Sequence, residues 1–133
     1  MSKESLLEGL NPEQREALLY LEGPLLVLAC AGSGKTKVIA HKFAHLTKTK
    51  KLPHNSILTL TFTNKAANEM KERISLLTGK DTNGASIGTF HAQCNRLLRR
   101  EIHALGYRPD FTVYDDDDQC ILIRHILREF RFH

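Results

Sequence analysis

The stretch LLVLACAGSGKTKVIAHK, residues 25–42, constrains the chain most, because it runs from a solid apolar block through a glycine-rich turn into alternating basic and apolar residues. LLVLA (25–29) is apolar at every position, as a central parallel strand covered on both faces requires. From Lys35 onward, Val38, Ile39, Phe43 and Leu46 recur at helical spacing with Lys37, Lys42 and Lys48 among them, which predicts an amphipathic helix. Between the two, Ala29, Cys30, Ala31, Gly32, Ser33, Gly34, Lys35 and Thr36 follow the pattern G-x-x-x-x-G-K-[ST] in a looser form, with Ala29 in place of the first glycine. Glycines at 32 and 34 permit backbone angles that aim successive N–H groups inward, making a concave anion site at a helix start. In such a site Lys35 reaches the outer phosphates of a nucleotide and the Thr36 hydroxyl ligates magnesium. The bland alternative is a turn that merely joins strand to helix.

The surrounding pattern supports an α/β layer. Asn11-Pro12 is a helix start, since the Asn side chain caps free N–H groups and proline fits the first helical position. The helix runs to about Tyr20, and Gly23-Pro24 breaks the chain before LLVLA. Pro53 closes the first unit, and ILTLTF (57–62) reads as a second strand. Thr63 or Asn64 can cap the next helix, whose apolar face is Ala67, Met70, Ile74 and Leu77. After a polar turn at 79–84, ASIGTF (85–90) is a third candidate strand, with helices at about 91–105 and 116–130. Strand–helix alternation over the first ninety residues predicts parallel strands, while the last forty residues look mainly helical.

Bulk properties exclude several classes. The chain of 133 residues suits one domain rather than two. No apolar run approaches the roughly 20 residues that span a bilayer, and MSKESLLEGL lacks the long apolar stretch of a secretory signal, so a cytoplasmic protein with no membrane partner is expected. Cys30, Cys94 and Cys120 form an odd set without C-x-x-C spacing, which points to reduced, partly buried thiols rather than a disulfide framework or zinc site. Lysine and arginine outnumber aspartate and glutamate by 19 to 15, a mild excess compatible with a polyanion partner and with many ordinary enzymes.

A phosphate loop alone says only that a nucleoside triphosphate is bound, because kinases, transporters and GTPases all use one. Three further stretches narrow the choice: LNPEQREAL at 10–18, TLTFTNKAANEMKERI at 59–74 and IGTFHAQCNRLLRR at 87–100. Together with ACAGSGKT, and in this order, they resemble the N-terminal part of UvrD/Rep/PcrA-type DNA helicases, and YRPDFTVYDDDDQ (107–119) resembles the segment that opens that family's helical insertion. The resemblance covers nearly the whole chain. It implies a P-loop, RecA-like parallel sheet with helices on both faces, incomplete in this chain, over residues 1–91, followed by the mainly helical start of the insertion subdomain at 92–133.

Carried over residue by residue, the resemblance makes Gln14 the reader of adenine, residues 29–36 the phosphate cradle, Lys35 and Thr36 the catalytic pair, and Thr36 the magnesium ligand. Gln14 has a competing role, since it stands three residues after Asn11 and can reach back to the cap backbone. Lys37 is implied as a further nucleotide-binding residue, standing where the family commonly has an arginine near the base, and so lacks that residue's planar fork. Phe62, Thr63 and Asn64 are implied as single-stranded DNA contacts, with Phe62 stacking on or pocketing a base; Thr89 and His91 are implied as a second contact pair. A buried core Phe62 is the alternative without the resemblance. Arg96, Arg99 and Arg100 suit either phosphates or a solvated helix face.

The implied partners are single-stranded DNA, junctions of single- and double-stranded DNA, and the remainder of a helicase chain; the implied cofactors are ATP and Mg2+. Hydrolysis in the family also uses a downstream Asp-Glu pair and later arginines, which these residues do not include. Asp115 to Asp118 are read instead as capping a helix and complementing its dipole. The expectation is therefore the N-terminal part of an ATP-dependent DNA helicase of repair or replication, cut or naturally truncated, with FRFH unlike a natural domain end and an exposed sheet edge. A catalytically inert nucleotide- or DNA-binding module, a helicase–nuclease subunit and a P-loop kinase of small molecules are the competing readings, the last disfavoured by TFTNKAA and GTFHAQC.

Overall fold

A computed structural model describes residues 6–130, so readings placed on the first five residues and on 131–133 lie outside the described span. Two compact units divide at Cys94 and Asn95.

In the first unit, helix α1 (Pro12–Leu19) and helix α2 (Lys35–Lys48) precede strand β1 (Leu58–Thr61), helix α3 (Asn64–Thr78) and strand β2 (Ser86–Thr89). The strands pair in parallel, Leu58 opposite Ser86 through Thr61 opposite Thr89. A parallel pair needs a long crossover, which α3 supplies. Thr63 caps α3, its hydroxyl accepting from the Ala66 N–H at 3.1 Å. Thr59 and Ile87 are opposed in the register and both buried, so they mark the covered face of the sheet. There α2 packs on α3 and α3 on both strands, around Ala40, Phe43, Met70, Ile74, Ala85 and Ile87. The buried face of α3 is the expected one at Ala67, Met70 and Ile74, with Leu77 half-buried.

Four expectations are corrected. LLVLA forms no strand: residues 24–30 carry no regular element, and Leu26 and Leu28 are 82% and 87% exposed. An apolar run becomes a strand only where neighbours complete its ladder, and the described sheet is the two-stranded β1–β2 pair. Helices do not cover both faces among the described residues, since Leu58, on the face opposite Thr59, is 61% exposed. The buried arc of α2 is broader than one stripe: Ala40, His41, Phe43, Ala44 and His45 are buried, whereas Ile39 is 43% exposed. The cause is a second neighbour, because α1 and the turn before it also pack on α2, and His41 Nδ1 hydrogen-bonds the Leu6 carbonyl at 2.8 Å. Finally, the three cysteines are free but exposed rather than partly buried.

The second unit comprises the end of helix α4 (Phe90–Glu101), a 3-10 turn at Ile102–Leu105 and helix α5 (Asp116–Glu129). Arg99 organises its loop, donating to the carbonyls of Pro109 (3.0 Å) and Phe111 (3.2 Å) with its guanidinium 4.7 Å from the Phe111 ring centre. Asp115 and Asp118 form a reciprocal capping box at the start of α5, the role expected of the aspartate run. Along α5, Ile121, Leu122, Ile123, Ile126 and Leu127 are exposed. None of the described helices is long and apolar enough to cross a membrane.

Candidate functional site

The glycine-rich turn has the local geometry of an anion site. Gly32 (φ +78°) and Gly34 (φ +85°) both lie in the left-handed region, which costs an L-residue about 1–2 kcal/mol. Gly34 is the N-cap of α2 and brings no side chain to bond the first-turn N–H groups, so these donors are left to a ligand or solvent. The α2 dipole adds positive potential at the same point. Lys35 folds back over the turn, its Nζ donating to the carbonyls of Cys30 (2.6 Å) and Ala29 (3.1 Å). Thr36 is half-buried in the first turn of α2. Uncapped amides, an ammonium and a hydroxyl at one helix start form a donor set suited to a triphosphate with its magnesium, so these residues fit both.

The N-terminal segment is tied to this turn through Gln14 and to α2 through Lys37 and Lys42. Gln14 completes the capping box of α1, its Oε1 accepting from the Asn11 N–H at 3.1 Å while Asn11 Oδ1 accepts from the Gln14 N–H at 2.8 Å. The cap role weighed for Gln14 is thus present. Its Nε2 also donates to the Ser33 carbonyl at 2.9 Å, nineteen residues away. Lys37 donates to the Gly9 carbonyl at 2.5 Å. Lys42 donates to the carbonyls of Ala17 (3.0 Å) and Tyr20 (2.8 Å), satisfying the end of α1, and partial burial lowers its pKa from the ordinary lysine value. Between α1, residues 25–29 and α2 lies a cavity of about 550 Å³, with Gln14, Ser33 and Lys35 at its polar side and Leu28, Val38 and Ile39 at its apolar side. That size and mixed lining suit a small organic ligand.

A second cluster forms where the two strands end. Because β1 and β2 run in parallel, Phe62 follows Thr61 just as Phe90 follows Thr89, and α3 and α4 start side by side at that edge. Phe62 is 89% exposed and so lies outside the core of the described residues. Its ring centre lies 5.6 Å from that of Phe90, tilted by 41°. Asn64 and His91 are exposed beside the pair, while Thr63 and Thr89 bond the Ala66 and Ala92 N–H groups and fix the two helix starts. Sequence reasoning missed Phe90, although the repeated Thr-Phe at 61–62 and 89–90 carried the signal once the strands are placed in register. Of the arginines on α4, Arg99 is committed to its loop and Arg100 to Glu101 (2.6 Å), leaving Arg96 as the exposed one without such a bond.

A family model described as the UvrD/REP helicase N-terminal domain matches residues 10–132. The chain is 48% identical to the ATP-dependent DNA helicase PcrA of Bacillus subtilis over 124 residues, which is 93% of this chain and 17% of that protein. It is 44% identical over the same share to the proteins of that name from Staphylococcus aureus strain Mu50 and Staphylococcus epidermidis. The chain thus spans about one sixth of the length of these relatives. With the match reaching from the first capping residue through the glycine-rich turn and both strand ends, this chain belongs to the UvrD/REP helicase family, in its N-terminal domain.

Proposed function

We propose that the chain supplies the first half of an ATP-driven DNA helicase site: a phosphate loop for Mg-ATP and, at the ends of β1 and β2, a face for single-stranded DNA. The observation that carries the reading is the uncapped start of α2 under Gly34 with the Lys35 ammonium folded over it. In this reading residues 29–36 hold the phosphates, Lys35 and Thr36 are the catalytic pair, Thr36 ligates magnesium and Gln14 reads adenine. Magnesium held there would supply neutralisation of the phosphate charge. Lys37 stands with Gln14 on the side of the base, tied to the Gly9 carbonyl and without the planar fork of an arginine.

Phe62 offers its π face to a base, and Asn64 and His91 offer polar groups beside it, in a manner indifferent to sequence. Thr63 and Thr89 keep the two helix starts in place, aiming their N–H groups at phosphate. The parent protein couples ATP turnover to translocation on single-stranded DNA and unwinding at junctions, in the cytoplasm. The uncovered apolar residues of LLVLA, Leu58 and α5 support the reading that further chain packs on this part. The polypeptide by itself then binds nucleotide and DNA without turnover. Steady-state Mg-ATP hydrolysis with and without oligo-dT tests this, using Lys35→Ala as control. Lys35-dependent binding without hydrolysis is expected; DNA-stimulated turnover would show that the described residues already complete the catalytic site.

A further inference from the structure

Among the described residues, Gln14 is the one side chain that hydrogen-bonds both the start of α1 and the loop backbone. A primary amide carries two donor N–H groups and an oxygen with two lone pairs. One lone pair is spent on the Asn11 N–H and one donor on the Ser33 carbonyl, so one acceptor and one donor remain at the edge of the cavity. That remainder matches what the edge of adenine requires, one donor and one acceptor, without breaking either existing bond. Ser33 lies between the two left-handed glycines, so a tie to its carbonyl fixes the orientation of the peptide leading into Gly34 and hence of the N–H groups that face an anion.

We propose that Gln14 is a positioning residue of the phosphate loop, holding the Ser33 peptide in its anion-binding orientation whether or not a base is present. The inference rests on the nucleotide reading above and deepens it: a residue that only reads adenine has no effect on a ligand without a base. The close approach is visible from the other side as well, since a Cβ added at Gly34 would stand 2.9 Å from Gln14 Nε2.

The test compares Mg-tripolyphosphate, Mg-ATP and Mg-GTP binding to the full chain by calorimetry. Gln14→Met removes the tie, and Asn11→Ala removes the Asn11 side-chain half of the cap while leaving the tie. The tie predicts that Gln14→Met weakens tripolyphosphate about three- to ten-fold, the worth of one net hydrogen bond, and also erodes the preference for ATP over GTP, while Asn11→Ala leaves tripolyphosphate affinity unchanged. Should Gln14→Met unfold, Gln14→Glu combined with Glu13→Gln retains an acceptor for the Asn11 N–H and the net charge but not the donor to Ser33, and the same loss is expected. Unchanged tripolyphosphate affinity in the folded variant, with wild type binding it through Lys35, overturns the positioning role alone. Absence of Lys35-dependent binding to wild type overturns the nucleotide reading and this inference with it.

Discussion

Phe62 and Phe90 stand with ring centres 5.6 Å apart, each one residue past a threonine that is paired with the other across β1 and β2. Strand register therefore sets the spacing of an aromatic pair at the sheet edge, with Phe62 held against Phe90 yet 89% exposed. An exposed ring so placed adds little to the core of the described residues, and the proposed role of Phe62 is to stack on a base. Phe62→Ala is expected to weaken oligo-dT binding by about 1–3 kcal/mol, read by fluorescence anisotropy, with thermal stability and Mg-ATP affinity nearly unchanged. Phe90→Ala, which removes the support and not the platform, should give a smaller loss. Equal DNA binding by Phe62→Ala and wild type would make the pair a surface feature without function.

Lys35 is exposed and its two bonds go to carbonyls of its own loop, so it contributes little to the rest of the fold. Lys35→Ala should abolish measurable Mg-ATP binding while leaving circular dichroism and melting temperature close to wild type. Calorimetry reads the first and thermal scans the second; retained affinity would remove the phosphate-cradle assignment.

Much of this was legible in the residues because local chemistry decides it. The caps at Asn11 and Asp115 and the Ala67, Met70, Ile74 face need only short-range pattern. LLVLA failed as a strand because a ladder depends on neighbours that its own sequence does not specify. On α2 the 3.6 period gave one stripe, but α1 and α3 flank the helix and bury Ala40, Ala44 and two histidines as well. At the site, the 29–36 turn was readable from glycine and lysine spacing, whereas the Ser33 tie, the Lys37 bond to Gly9 and the Phe62–Phe90 pair join residues far apart in sequence.

Gly32 and Gly34 share nearly the same left-handed backbone but differ in surroundings. A Cβ at Gly32 meets nothing within 4 Å, and one at Gly34 meets the Gln14 amide at 2.9 Å. Gly32→Ala should cost about 1–2 kcal/mol of stability from conformation alone. Gly34→Ala is expected to cost at least that and, in addition, to displace Gln14 from Ser33. Denaturant unfolding of the two variants, each also made in a Gln14→Ala background, checks this: the extra cost at Gly34 should shrink when the Gln14 side chain is gone, and the cost at Gly32 should not.

Lys42 joins the middle of α2 to the end of α1 by donating to Ala17 and Tyr20 carbonyls, and desolvation lowers its pKa from 10.5. Lys42→Met keeps the stem and removes the donors, so it should destabilise the chain by about 1–2 kcal/mol near neutral pH, read by denaturant unfolding. The pH dependence has a definite sign. A lysine whose folded pKa is depressed holds fewer protons folded than unfolded across the interval between the two pKa values. Stability then rises with pH across that interval, on the alkaline side of neutrality and below about 10.5, because the cost of burying the charge disappears as the amine deprotonates. The neutral amine still donates, so the bonds to α1 survive the titration. Unfolding free energies of wild type minus Lys42→Met should therefore increase from pH 7.5 toward pH 10; a flat or falling difference would mean that desolvation is not what sets the Lys42 titration.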